Sequence, residues 1–251
     1  MAMDCAVAKY RRARHQAVAR ILAGLASDVL TRAKCYFGGG TRIALELNEY
    51  RESEDIDFIC SDLAGYRTLR AGIDNRSLGP LLPLARSDLS LLRDVRADQY
   101  GIRTIIDVGG EPVKFEIVLE ARITVTPTKV KQIPVPVLDR TSCFAQKWLA
   151  NADRWNDKAV LSRDAIDLAF MLNAWSVNEA VAGAKLAANA YGKAIARAAR
   201  NASGKLLEDV AYRKQCAKDL GIIDARRLLA GIKRLVKLAN DLPDACDWPQ
   251  G

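Results

Sequence analysis

From Gly38 to Phe58 the chain reads GGGTRIALELNEYRESEDIDF, and no other stretch restricts the fold as much. Gly38, Gly39 and Gly40 run into a short segment of helical character, and a glycine-opened helix start turns backbone N–H groups toward an anion. The residues that follow, Asp55-Ile56-Asp57-Phe58-Ile59-Cys60, predict a strand over 56–60. Side chains two apart on a strand share a face, so Asp55 and Asp57 point the same way. Two such carboxylates beside an anion-binding turn suit Mg2+ carried on a triphosphate, because this hard ion takes one or two carboxylates together with phosphate oxygens.

With 251 residues, half of them hydrophobic, the chain can bury one large core or two small ones. Lys185, Lys193 and Arg197 interrupt its alanine-rich stretch, so no membrane span is predicted. Asp4 and a basic amphipathic segment open the sequence without the apolar core of a secretion signal, which predicts a cytoplasmic protein. Cys5, Cys35, Cys60, Cys143, Cys216 and Cys246 form no Cys-x-x-Cys pair and read as thiols, several of them small core residues. His15 is the one histidine, which excludes Ser-His-Asp and Cys-His hydrolases and most zinc hydrolases. Flanked by Arg12 and Arg14, His15 is expected on a solvated helix face.

Helical spacing is predicted over 6–30, with a short strand at 34–37 and a helix over 41–50 capped near Thr41. A helix follows near 63–73. Strands over 100–108 and 113–119 form a hairpin around Gly109, Gly110, Glu111 and Pro112. An extended segment over 123–138, with Pro127, Pro134 and Pro136, leads to a chain that reads as helix throughout. The predicted class is therefore α+β: a domain over 1–138 built on a small mixed sheet flanked by helices, then an all-helical domain over 139–251.

Glu116 sits on a predicted strand among apolar residues, where a carboxylate needs a partner. It either completes a metal site with Asp55 and Asp57 or pairs with Lys114 or an arginine at the sheet edge. In the helical part, Lys147 and Arg154 lie seven apart and so share a helix face that can reach phosphates. Ser162 reads as a helix cap with Asp164 favourable in the first turn, and Asp167 lies deeper among Ile166, Leu168 and Ala169. Charge is uneven: 17 Lys and Arg face 17 Asp and Glu through Glu120, and 21 face 13 from Ala121 onward, so the formal +8 comes from the second half. Clusters at Arg197/Arg200, Arg213/Lys214/Lys218 and Arg226/Arg227/Lys233/Arg234/Lys237 are either solvated helix faces or, taken together, a polyanion-binding surface.

The run Gly39-Gly40-Thr41 with Arg51-x-Ser53-x-Asp55-Ile56-Asp57-Phe58 resembles the first motif of the DNA polymerase β-like nucleotidyltransferases, most closely the AbiEii/AbiGii toxin family. Lys147-x-x-Ala150-x-x-x-Arg154 and Arg163-Asp164-x-x-Asp167-Leu168 are similar to that family's helical motifs. Arg163 stands where lysine is common and Glu116 where Asp is common. The resemblance implies a nucleotide held between a sheet domain and a helical bundle. It also implies that Asp55 and Asp57 bind Mg2+, or Mn2+ in its place, with Glu116 completing the set and taking the acceptor proton. Gly39, Gly40 and Thr41 would cradle phosphates, and Arg51 and Ser53 would organise the triphosphate. Lys147 would neutralise phosphate charge, with Arg154 supporting it or contacting the acceptor, and Asp164 and Asp167 placing Lys147 or substrate. The implied reaction moves a nucleoside monophosphate from an NTP to an RNA acceptor such as a tRNA 3′ end, in a toxin paired with an antitoxin or acting in abortive infection. A protein acceptor, a catalytically silent NTP-binding regulator and a plain nucleic-acid-binding module are the alternatives.

Overall fold

The computed structural model describes residues 10–83, 88–120, 122–192 and 194–243. They divide into two units. One runs up to Glu49 and resumes from Ser53 to Asp139; the other joins Tyr50, Arg51 and Glu52 to everything from Arg140 onward. Three residues inside the expected first domain thus belong with the helices.

The first unit holds helices α1 (Ala13–Gly24), α2 (Ser27–Arg32), α3 (Gly39–Glu46) and α4 (Leu63–Ala71). Its strands are β1 (Cys35–Phe37), β2 (Ile56–Cys60), β3 (Leu89–Leu91), β4 (Arg96–Ala97), β5 (Gly101–Val108), β6 (Glu111–Leu119), β7 (Pro127–Thr128) and β8 (Val137–Leu138). They make one mixed sheet in the order β3-β5-β6-β2-β1-β8-β7, with β4 also on β5. β2 runs parallel to β6 and β1 parallel to β8, while the other neighbours are antiparallel.

Period-two alternation decides what each face carries. Ile56, Phe58, Ile102, Ile106, Val113, Phe115 and Ile117 are buried on one face, where Phe58 packs its ring 5.8 Å from that of Phe115. Asp57, Arg103 and Glu116 therefore emerge on the other. The hairpin turn is tighter than expected: Gly109 and Gly110, at φ +62° and +91°, form it alone, and Pro112 lies in β6 opposite Asp107. Two successive positive-φ residues match the strand twist, so no longer loop is needed.

The helix expected over 6–30 is two helices where it is described; residues 6–9, like Cys5 and Cys246, lie outside the described residues. Leu25 and Ala26 are extended, and the Ala26 N–H donates to the Leu81 carbonyl at 2.9 Å instead of continuing the helix. α3 begins earlier than expected, at Gly39, and ends at Glu46 because Asn48 and Glu49 turn left-handed at φ +63° and +55°.

The second unit contains α5 (Arg140–Arg154), a 3-10 turn (Lys158–Val160), α6 (Arg163–Ala174), α7 (Val177–Tyr191), α8 (Ile195–Glu208), α9 (Val210–Asp219) and α10 (Ala225–Asp241). Side-chain caps fix several starts: Ser176 with Glu179 for α7, Asp209 for α9 and Asp224 for α10. α6 is buried from Asp164 to Leu172, with α10 and α5 packed on it. α10 turns Leu228, Ile232 and Leu235 inward, each worth about 1.5–3 kcal/mol of burial. Cys35, Cys60, Cys143 and Cys216 are buried thiols. No described helix is long and apolar enough to cross a membrane.

Candidate functional site

In the sheet unit the glycine turn closes directly on β2. Gly38 donates its N–H to the Asp57 carbonyl at 2.8 Å. Gly39 has φ +67°, and a Cβ there would lie 2.4 Å from Asp57 Oδ2. The carboxylate can approach the opening of α3 only because residue 39 lacks a side chain. Gly39 and Gly40 are the first residues of α3, an eight-residue helix whose leading N–H groups favour an anion. Thr41, buried in that first turn, shares a 2.8 Å hydroxyl contact with Ser53. Asp55 immediately precedes β2 and is half-buried, as is Asp57.

Register places Glu116 of β6 opposite Asp57 of β2, and Arg103 of β5 opposite Glu116. Glu116 accepts from Arg103 Nε at 2.6 Å and lies 3.3 Å from Lys114 Nζ; Arg103 also reaches Asp98 at 3.5 Å. Of the two roles expected for Glu116, the ion pair at the sheet is the one the side chain occupies. Among the described residues no three His, Cys, Asp or Glu side chains gather closely enough to hold a metal ion. Asp57, beside a glycine opening that a single Cβ would fill, and Asp55, two residues before it, carry the hard oxygens that suit Mg2+ or Mn2+. Glu116 is committed to two cations, Arg103 and Lys114.

In the helical unit the sequence-predicted residues form one buried ion network. Arg51 grips Asp167 through Nε at 2.6 Å and a terminal nitrogen at 2.9 Å, and donates to the Glu52 carbonyl at 2.6 Å. Tyr50 donates its hydroxyl to the same carboxylate and stacks its ring 4.1 Å from that of Phe170. Lys147 Nζ lies 2.6 Å from Asp167 Oδ2 and 3.0 Å from Asp164 Oδ1. Arg154 clamps Asp164 at 2.6 and 3.0 Å. Lys147 and Arg154 thus do share a face of α5, and both converge on Asp164. Arg51, expected to organise a triphosphate, instead has its guanidinium filled by Asp167 and a carbonyl.

Burial alone would raise both carboxyls; Arg51 and Lys147 outweigh it at Asp167, as Lys147 and Arg154 do at Asp164, so both titrate below the ordinary range. Burial raises the Tyr50 phenol, and Asp167 raises it further. Ahead of α6, Leu161 and Ser162 adopt φ +53° and +51°. Such residues cost about 1 kcal/mol or more each, and the packed network that follows holds them there. Ser162 does not cap α6 as expected, because its left-handed backbone turns the hydroxyl to Tyr212 at 2.9 Å.

The basic clusters separate once their contacts are known. Arg200, Arg213 and Arg234 donate to main-chain carbonyls of Ala239, Leu206 and Leu172, and Arg227 lies over the Phe170 ring. Arg197, Lys214, Lys218, Arg226, Lys233 and Lys237 are exposed. His15 reverses the surface reading: it is fully buried, 2.9 Å from Glu49 through Nδ1, while Nε2 accepts the Ser53 N–H at 3.3 Å. Arg12 and Arg14 obscured it, yet His15, Val18 and Leu22 form an i, i+3, i+7 stripe that signals burial.

The family model described as "Nucleotidyl transferase AbiEii toxin, Type IV TA system" matches residues 20–236. Among solved structures the chain is similar to MenT4, a nucleotidyltransferase toxin from Mycobacterium tuberculosis H37Rv, with TM-score 0.53 and 15% identity over 92% of this chain and 87% of that one. It is also similar to JHP933 from Helicobacter pylori, with TM-score 0.49 and 15% identity over 93% and 96% of the two chains. A comparison with curated protein sequences finds no match. MenT4 speaks for the fold, and the match over most of the sequence speaks for descent: this chain belongs to the AbiEii family of nucleotidyltransferase toxins of type IV toxin–antitoxin systems.

Proposed function

We propose that the chain transfers a nucleoside monophosphate from an NTP to an RNA, with a tRNA 3′ end as acceptor: the acceptor hydroxyl attacks the α-phosphate and pyrophosphate leaves. The observation that carries this reading is the approach of Asp57 to Gly39, which sets a carboxylate beside the N–H groups that open α3. Asp55 and Asp57 would hold Mg2+ or Mn2+, and the ion would supply charge neutralisation on the triphosphate. Gly39, Gly40 and Thr41 receive phosphate oxygens, and Ser53 orients Thr41 through their shared hydroxyl contact. Glu116 would join the metal ligands, or take the acceptor proton, only by exchanging its bond to Arg103. Catalysis then rests on positioning and charge, as suits phosphoryl chemistry without an imidazole at the reacting atoms.

Lys147 and Arg154 are the phosphate contacts we assign to the helical unit, with Asp164 and Asp167 orienting Lys147 and Arg51 holding Asp167 in turn. From Ile195 to Pro243 there are eleven Lys and Arg against five Asp and Glu, which favours a polyanionic acceptor. The family's place in toxin–antitoxin systems supports an antitoxin partner and a cytoplasmic site of action.

The test is transfer of label from each α-labelled NTP, with Mg2+, to total tRNA and separately to cell protein, by wild type and Asp57→Ala. Label on tRNA that disappears in the variant is the expected result, and it names the nucleotide. Label on protein alone overturns the RNA acceptor. No transfer to either, with NTP binding intact, overturns the enzyme reading in favour of a silent regulator.

A further inference from the structure

We propose that His15 and Glu49 act as a positioning pair that fixes Ser53, and with it the start of the Asp55-Asp57 segment, against the glycine turn. The consequence for transfer rests on the function proposed above; the geometry does not.

A fully buried imidazole needs partners for both nitrogens, and here the partners dictate its form. A carboxylate accepts only, so the proton between His15 Nδ1 and Glu49 Oε1, 2.9 Å apart, sits on Nδ1. A backbone N–H donates only, so Nε2, 3.3 Å from the Ser53 nitrogen, presents its lone pair. The two contacts select the neutral Nδ1–H tautomer, since an imidazolium would turn a second donor on the Ser53 N–H.

Glu49 is itself held on several sides. Its carboxylate accepts the N–H groups of Arg11 and Arg12 at 2.8 and 3.0 Å and Arg11 Nε at 3.1 Å, and its backbone stays left-handed at φ +55°. Burial would raise this carboxyl, but the Arg11 and Arg12 N–H groups, then His15 and the Arg11 side chain, hold it down at about 2. The Arg11 and Arg12 N–H groups lie at the start of α1, so Glu49 ties the end of the α3 turn to that helix and fixes the tautomer at the same time.

The effect is felt at Ser53. β2 begins its ladder at Ile56, so the preceding residues 53–55 need their own anchors. Ser53 has two: its N–H on His15 and its hydroxyl against Thr41 of the glycine-opened helix. Asp55 follows two residues later. A free Ser53 N–H would let this segment, and the Asp55 carboxylate on it, shift against Gly39 and Thr41.

The substitutions His15→Gln and His15→Asn separate positioning from mere filling of space. Gln extends an amide oxygen to where Nε2 accepts from Ser53, whereas Asn reaches only the Nδ1 position and stays with Glu49. In full-length, 15N-labelled protein the Ser53 amide is expected to exchange with solvent about tenfold faster in His15→Asn than in wild type or His15→Gln. The kcat for nucleotide transfer is expected to fall about tenfold in His15→Asn with the KM for NTP within about twofold, and to recover in His15→Gln. Unchanged Ser53 protection in His15→Asn overturns the proposal. Equal losses of kcat in both variants that track their melting temperatures overturn it too. Should wild type transfer nothing, the function reading fails, and the Ser53 amide still decides the role of His15.

Discussion

Asp57 and Asp167 both come from acidic motifs, but Asp57 is half-buried on the outer face of a sheet beside a glycine, whereas Asp167 is wholly buried among Arg51, Lys147 and Tyr50. The hydrophobic core of the sheet lies on the far side of β2 from Asp57. Asp167 closes a network in which each charge answers another. The sheet leaves Asp57 half-buried beside a glycine; the helices use their carboxylates to hold cations in fixed directions. Losing one should be a functional event, and losing the other a structural one.

The largest effect tests the structural side. Asp167→Asn leaves Arg51 and Lys147 buried without their shared counter-charge, a change that costs about 3–5 kcal/mol. All four tryptophans, Trp148, Trp155, Trp175 and Trp248, follow Arg140 in sequence, so tryptophan fluorescence in urea reads the helical unit. The same network gives an acid signature. Asp164 and Asp167 have folded values below their unfolded one, so their stabilisation is complete above about pH 3.9 and drains away as pH falls through the depressed range. Glu49 does the same for the sheet unit between about 4.3 and 2. A flattened acid limb in Asp167→Asn is expected; an unchanged urea midpoint together with lost transfer would put Asp167 on the functional side and break the contrast.

Asp57→Ala should do the reverse: transfer falls by roughly 10²–10³ while stability moves by no more than about 0.5 kcal/mol. Steady-state kinetics beside a urea titration reads both. A large drop in stability would mean that Asp57 supports β2 after all. Gly39→Ala falls between the two, since the new methyl meets Asp57 Oδ2 at 2.4 Å and φ is +67°. It is expected to destabilise by about 1–2 kcal/mol and to lower kcat with it, because the carboxylate must move aside. Retained kcat would show that the approach of Gly39 to Asp57 has no part in the reaction.

The contrast was half legible in the sequence. Glycine chemistry and period-two alternation are local, so the turn, the bounds of β2 at Ile56 and Cys60, and a hairpin around Gly109 and Gly110 could be read directly. Register is not local: nothing in the sequence states that β6 lies parallel to β2 with Glu116 opposite Asp57, or that Arg103 comes next in the row. The seven-residue spacing of Lys147 and Arg154 placed them on one face without showing that Asp164 waits there for both. The arginines beside His15 mask the apolar stripe it belongs to, so its burial does not stand out in the sequence. Tyr50, Arg51 and Glu52 join the helical unit through contacts with residues more than a hundred positions away, which no local pattern encodes.

The smallest effect asks how far the helical unit's charge serves an acceptor at all. Spacing alone cannot tell an arginine that binds a carbonyl from one that faces water, and the two kinds are interleaved here. Arg213 reaches the Leu206 and Leu207 carbonyls at the end of α8, so replacing it should cost stability. Arg226, Lys233 and Lys237 line the exposed side of α10, opposite Leu228, Ile232 and Leu235, and their replacement should cost little of it. If that side meets RNA phosphates, Lys233→Ala and Lys237→Ala should each lower the slope of log affinity for tRNA against log KCl by about 1, while Arg213→Ala leaves the slope as it is. A slope untouched by the two lysines would show that α10 is a solvated face. A slope lowered equally by Arg213→Ala would show that the carbonyl-bound arginines also reach the acceptor, and that structural and functional charge are not separate populations in this unit.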